Sequence, residues 1–484
     1  MISFLISIIV LVIGYFVYGT IVEKVFGIEP NRKTPALKLT DEVDFVPLPT
    51  WKVFLIQFLN IAGLGPIFGA ISGAMFGPSA FIWIVLGSIF AGGVHDYLSG
   101  MLSVRHNGLS ISEIVGIYLG KYLKQVMRVF TIVLLIFVGT VFLVGPARII
   151  AEMFGNGWSA GIWMGIILVY YMLSTLLPID KIISKLYPVF GIAMLIMALG
   201  LVIALFSGAY PIPEITGSTL RNMTVNPEKT PLFPILFVTI ACGAVSGFHA
   251  TQSPLMSRCM RNEREGKKVF FGAMITEGIV ALIWAAAAMA FFGGIEELNL
   301  AMVAHENNAA WAANEITNGM LGHIGGILAL MGLVAAPISS GDTAFRSARI
   351  IFADIFNYDQ KVLKKRLVIS IPLFLIALVL TRVEFGVIWR YFAWSNQTLA
   401  MVVLWTVTAY LIANNNKWYI ISFIPAVFMT MVCTTYILLA PEGFELDHTL
   451  SYGLGLCFTF LTSGLFWNYT RRKRAGDVGR ETLK

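Results

Sequence analysis

Charge is scarce in this chain. Of 484 residues only 13% are Asp, Glu, Lys or Arg, where a soluble domain carries roughly 25%. A solvent-facing globular fold is therefore excluded. Cysteine is scarce too: Cys242, Cys259, Cys433 and Cys457 lie far apart with no Cys-x-x-Cys pair, which argues against a disulfide or zinc framework. There are six histidines, and none forms a recognisable metal-ligand set or a His-Glu-x-x-His motif. Gly243-Ala-Val-Ser-Gly247 lacks the Gly-x-Ser-x-Gly spacing of a hydrolase nucleophile. No enzyme, resident cofactor or metal is expected. Residues 1–20 have neither a basic leading region nor a small-residue cleavage site, so they read as a retained helix rather than a signal peptide.

Apolar length is what the chain has in abundance. Hydrophobic residues make up 57% and the mean hydropathy is +0.79. About 20 apolar residues cross a bilayer, and thirteen such segments can be marked. A peripheral helix covers 2–20. Ten core helices follow, at 52–74, 77–100, 128–149, 158–178, 187–208, 231–255, 269–292, 323–345, 367–385 and 387–412, and two further peripheral helices at 418–440 and 449–470. The fold class is an all-α polytopic membrane protein. Its parts are 1–51 (helix and linker), 52–208 and 209–412 (two repeats), 413–470 (two helices) and 471–484 (a basic tail).

Lys and Arg set the expected orientation. With the N-terminus outside, 29 of the 34 basic residues fall on the cytoplasmic side, and five (Arg148, Arg221, Lys229, Arg382 and Arg390) fall outside. The 293–322 loop holds Glu296, Glu297, Glu306 and Glu315 but no Lys or Arg, which suits the outside. The net charge of +7 is thus loop bias, not a nucleic-acid signal. The expected setting is a cytoplasmic (inner) membrane, with the bilayer and a small-molecule solute as partners and the C-terminus cytoplasmic.

Two spans are interrupted. Asn60-Ile-Ala-Gly-Leu-Gly-Pro-Ile-Phe-Gly-Ala-Ile-Ser-Gly73 breaks core helix one, and Ile240-Ala-Cys-Gly-Ala-Val-Ser-Gly-Phe-His-Ala-Thr-Gln-Ser-Pro254 breaks core helix six. Lipid cannot satisfy the backbone groups that Gly and Pro free, so such segments persist only where they line a cavity or are buried in protein. Paired interrupted helices point to a secondary transporter's binding site. The breaks are five helices apart, which forces opposite topology and hence a five-plus-five inverted repeat. Ala147-Arg-Ile-Ile150 and Ala348-Arg-Ile-Ile351, at corresponding helix ends, echo it.

The candidate site residues cluster at these breaks. Gly63, Gly65 and Gly69 either bare the backbone to a solute or allow close helix packing. Ser246, Gly247, His249 and Gln252 surround a half-helix N-terminus suited to a carboxylate; His249 is a ligand donor, a proton carrier or a packing imidazole. His95 and Asp96, read as near the cytoplasmic end of core helix two, form either a proton relay or a structural cap. They point about 100° apart and should not both face one partner squarely. Ser339, Ser340, Asp342 and Thr343 offer a cation site between core helices one and eight, or Asp342 pairs with Arg346. Asn396 and Gln397 could bond a substrate amide or a neighbouring backbone, beside aromatics that line a gate or an interfacial belt. Lys185 could stand in for a sodium ion or simply follow the positive-inside bias. Glu277 is a lone intramembrane acid that needs a partner.

At these motifs the chain resembles the carbon starvation protein A family. The matching stretches are Gly92-Gly-Val-His-Asp-Tyr97, Ser246-Gly-Phe-His-Ala-Thr-Gln-Ser-Pro254, Gly266-Lys-Lys-Val-Phe-Phe-Gly-Ala-Met-Ile-Thr-Glu277, Ile338-Ser-Ser-Gly-Asp-Thr-Ala-Phe-Arg-Ser-Ala-Arg349 and Arg390-Tyr-Phe-Ala-Trp-Ser-Asn-Gln397. The resemblance implies a leucine-transporter-like fold of the amino acid–polyamine–organocation superfamily. It also implies import of peptides or pyruvate for scavenging under starvation, driven by protons, with sodium as the alternative ion. By the same analogy core helices one, two, six and seven rock against three, four, eight and nine. A passive channel and a membrane starvation sensor are the other readings. Better-known members look longer, with additional C-terminal helices.

Overall fold

The computed structural model describes residues 1–41, 44–154, 158–176, 183–356, 358 and 363–481, with no strand among them. The side chain of Lys185, one of the candidate site residues, lies outside what is described. Nine helices among the described residues are long and apolar enough to cross a membrane, or ten if one bent pair counts as a span. Three expected spans fall short for separate reasons. Core helix six is broken in two, core helix four (Ala160–Leu176) has 17 residues, and core helix nine (Leu363–Leu380) opens on Lys364, Lys365 and Arg366. The outer faces of the bundle suit lipid: Ile203, Val379 and Phe460 are each more than 60% exposed.

Several helices run further than expected. Core helix two is Ser79–Arg105, core helix three Lys121–Phe154 and core helix eight Gly325–Phe356. Helix two continues past 100 because Met101, Leu102 and Val104 are buried there and Arg105 pairs with Glu263 at 3.0 Å. His95 and Asp96 therefore lie inside the bundle rather than at its rim. The first peripheral helix also extends, to Phe26.

Both expected interruptions are present. Core helix one is Thr50–Ile61 then Gly65–Ala74, bent by 48°. Pro66 stands in the first turn of its second half, where a missing N–H costs nothing. Core helix six is Leu232–Thr239 then Gly247–Ser257, with Ser246 extended between them at φ −145°, ψ 123°. The breaks face each other. A Cβ added to Gly65 would fall 2.4 Å from the Cys242 side chain, and one on Gly69 2.8 Å from Thr239 O. The glycines thus both open the backbone and let the two halves approach closely.

Protein groups satisfy the freed carbonyls, as burial demands. Ile240 O accepts from Trp83 Nε1 at 3.0 Å, Gly243 O from Ser88 Oγ at 3.0 Å, and Phe237 O from Gln397 Nε2 at 2.8 Å. Leu59 O accepts from Ser340 Oγ at 3.0 Å. Ser88 lies in a π-helical turn, Gly87–Gly92, just ahead of His95; such bulges recur at functional sites.

Candidate functional site at the helix breaks

A fully buried chain of ionisable side chains lies beside the second break. Asp96 is its centre. Its Oδ1 is 2.7 Å from His95 Nδ1 and its Oδ2 is 2.8 Å from His249 Nδ1. The neighbours His95 and Asp96 do meet, and the carboxylate serves a second histidine with its other oxygen. Across His249, Nε2 lies 3.3 Å from Glu277 Oε2. The approach is close enough for an ion pair but too poorly aligned for a hydrogen bond. All four side chains are 0% exposed. Glu277 thereby finds the partner it needs, and the chain joins core helices two, six and seven.

The tautomers follow from the acceptors. An ionised Asp96 can only accept, so both histidines present Nδ1–H to it. In the neutral ring each Nε2 then carries a lone pair. His95 Nε2 has no hydrogen-bond partner among the described residues. His249 Nε2 faces a carboxylate oxygen that is also an acceptor, and the two need a cation between them. Cys242 Sγ joins this group: it, a ring nitrogen of His249 and a Glu277 oxygen lie within 4.8 Å of one another. A proton or a divalent metal would fit such a set. Its residues are too far apart in sequence to resemble a ligand motif.

The half-helix N-terminus at Gly247 is already capped. Asn396 Oδ1 accepts from Phe248 N at 2.6 Å and from Ser246 Oγ at 3.0 Å. An amide oxygen from core helix ten thus stands where a solute carboxylate was expected. Gln252 donates to Thr251 Oγ1 at 2.9 Å, while its oxygen and that of Gln397 have no partner among the described residues. Gly63 packs on Phe142 and Ser340, and Gly247 on the backbone of Asn396 and Ala400.

Between core helices one and eight, Ser340 donates to Leu59 O, Ser339 to Ala336 O at 2.6 Å and Thr343 to Ser340 O at 3.0 Å. Asp342 turns away from this group. Its Oδ2 accepts from Ser174 Oγ and Tyr187 OH, each at 2.6 Å, and Arg346 Nη2 donates to Ser174 O at 2.9 Å. Asp342 and Arg346 thus both fasten onto core helix four, an arrangement that their four-residue spacing does not disclose.

Two buried residues are not among the candidate site residues read from the sequence. Gln57 and Asn60, in the first half of core helix one, are 0% exposed, and their amides have no hydrogen-bond partner among the described residues. Such groups are costly to bury unpaired. A signal exists: they are polar amides in an otherwise apolar span, at and just before a break.

The paired broken helices and the polar centre between them define a helical secondary-transporter fold of the leucine-transporter type. Solved structures agree at the level of fold: MhsT with L-phenylalanine (TM-score 0.58, 16% identity, 78% of this chain and 97% of that one) and a manganese transporter of Eremococcus coleocola (TM-score 0.55, 13% identity, 90% and 99%). The chain belongs to the carbon starvation protein CstA family, whose model matches residues 1–155 and 147–324. An uncharacterised membrane protein of Haemophilus influenzae is 43% identical over 63% of this chain and 95% of its own. The peptide transporter CstA of Bacillus subtilis is 26% identical over 87% of each chain. The pyruvate/proton symporter BtsT of Escherichia coli is 26% identical over 58% of this chain and 48% of its own. These relatives support a transporter role and point away from an enzyme.

Proposed function

We propose that this protein is a proton-coupled secondary importer of small carboxylates, peptides or pyruvate, working by alternating access from the broken helices. The relatives named for peptide transport and for pyruvate/proton symport support the substrate class. The observation that carries the reading is the Asp96–His249–Glu277 chain, buried beside the second break. Two acids and an imidazole in contact, all fully buried, are sensitive to a single proton. Their helices, two, six and seven, belong to the half that is expected to rock, so protonation and movement can be linked by differential affinity. A solute reaching the breaks would meet Gln57 and Asn60 and would compete with Asn396 for the helix start at Gly247. The orientation expected from the basic residues, N-terminus outside, puts the import route on the side of the acidic 293–308 segment.

Uptake into proteoliposomes tests this directly. Labelled pyruvate and a labelled dipeptide should each be offered with an inward proton gradient, with a sodium gradient, and with neither. Accumulation of at least one solute with the proton gradient is expected. Equilibration without accumulation under every gradient would replace the symporter by a passive facilitator.

A further inference from the structure

The end of the bundle that carries the acidic loop holds a cavity of about 250 Å³ that the coupling site does not use. Its wall is built from distant segments: Ser72 from core helix one, Arg148 from core helix three, Glu306 and Asn307 from a turn, and Glu384 and Trp389 from the start of core helix ten. At about 30 Å³ per water it has room for a dipeptide.

Charge decides what suits it. The Arg148 guanidinium lies over the Phe385 ring, 5.3 Å from its centroid. The ring positions the cation without neutralising it. Glu306 and Glu384 share the same small space, so it offers one positive and two negative groups. The turn is held in shape. His305 stacks on Trp311 with centroids 3.5 Å apart, and Glu306 and Asn307 both keep left-handed backbone at φ 55°. Glutamate rarely adopts that conformation, and such strain gathers at functional sites.

The floor of the cavity is aromatic. Phe68 packs on Trp389 at 5.7 Å, Trp389 on Phe392 at 5.5 Å, Phe392 on Phe142 at 6.3 Å, and Phe142 on Phe248 at 6.2 Å. Phe248 stands at the second break, so this stack runs from the cavity to the break. Trp389 and Phe392 thus join this stack, whereas Tyr391 and Trp394 bond to the peripheral segment at Glu442 and Cys433.

We propose that this cavity is a first binding site for zwitterions, namely short peptides or amino acids. The carboxylate pairs with Arg148 and the ammonium with Glu306 and Glu384. Pyruvate satisfies Arg148 but sets its own charge against two carboxylates, so it binds less well. The proposal rests on the importer reading and narrows its substrate.

Trp389 supplies a reporter that needs no gradient. Purified protein would be titrated with dialanine, its C-terminal amide, its N-acetyl form and pyruvate, following tryptophan fluorescence, with Trp389→Phe as the control for signal origin. Dialanine should give a saturable change that is absent in Trp389→Phe. The amide and the N-acetyl form should each bind about tenfold more weakly, as expected for one lost charge-assisted contact. Arg148→Gln should weaken dialanine similarly, with partial recovery in Arg148→Lys. Equal affinity for all four compounds, or no saturable change with dialanine, would overturn the proposal, and neither result depends on whether Arg148→Gln folds. Specific binding in a protein that never accumulates solute would instead leave this site standing and remove the importer reading.

Discussion

Asp96 and Asp342 are both carboxylates with 0% exposure, each holding two side-chain donors, and they do opposite things. Asp96 gathers two histidines, and the second faces another acid, so its surroundings change charge with one proton. Asp342 gathers two hydroxyls, from Ser174 and Tyr187, beside an arginine that bonds the same strip of core helix four. The first network lies wholly within core helices two, six and seven, and the second ties four, five and eight. The two networks thus differ in chemistry: one joins an acid to two histidines and a second acid, the other joins an acid to two hydroxyls beside an arginine.

Substitutions can break this contrast. His249→Ala leaves Asp96 and Glu277 buried without their shared partner, which should cost about 3–5 kcal/mol and abolish proton-driven uptake. Thermal unfolding in detergent and uptake in liposomes check the two parts. Asp342→Asn should cost less, about 1–3 kcal/mol for one weakened buried acceptor, and should leave the ratio of driven to undriven uptake unchanged. If Asp342→Asn uncouples and His249→Ala does not, the roles are reversed.

Gly69→Ala tests the contact between the breaks, because its Cβ would meet Thr239 O at 2.8 Å. Overpacking of about 1–3 kcal/mol is expected, together with slower uptake at unchanged coupling. Ser340→Ala removes the bond to Leu59 O, which crosses from one proposed half to the other. About 1 kcal/mol is at stake, read as a modest shift in apparent affinity with no sodium dependence. Loss of a sodium response on this substitution would instead assign the cation site to Ser340.

The breaks themselves are legible in the sequence, because Gly and Pro inside an apolar span free backbone groups that lipid cannot satisfy. The isolated Glu277 is legible as a group in need of a partner. The identity of that partner is not, since His249 lies on a different helix and only packing brings the two together, as it brings His249 to Asp96 across 153 residues. The depth of His95 is hidden because helix two continues to Arg105, and Gly100 gives no sign of whether a helix ends there or merely packs tightly. In the structure a Cβ at Gly100 would meet the Phe270 ring at 2.6 Å. Asn396 reads as polar and inward, but its capping of a helix 148 residues away is beyond local reasoning. The two arginines of the Ala-Arg-Ile-Ile echo differ in setting: Arg148 is exposed and lines the cavity, whereas Arg349 is buried.

The most direct measurement loads proteoliposomes with a pH-sensitive dye and adds solute outside, without any imposed gradient. Wild-type protein should acidify the lumen as solute enters. Glu277→Gln should exchange labelled for unlabelled solute yet leave the lumen pH unchanged. Acidification of equal size in both proteins would contradict the assignment of the proton to the Asp96–His249–Glu277 chain.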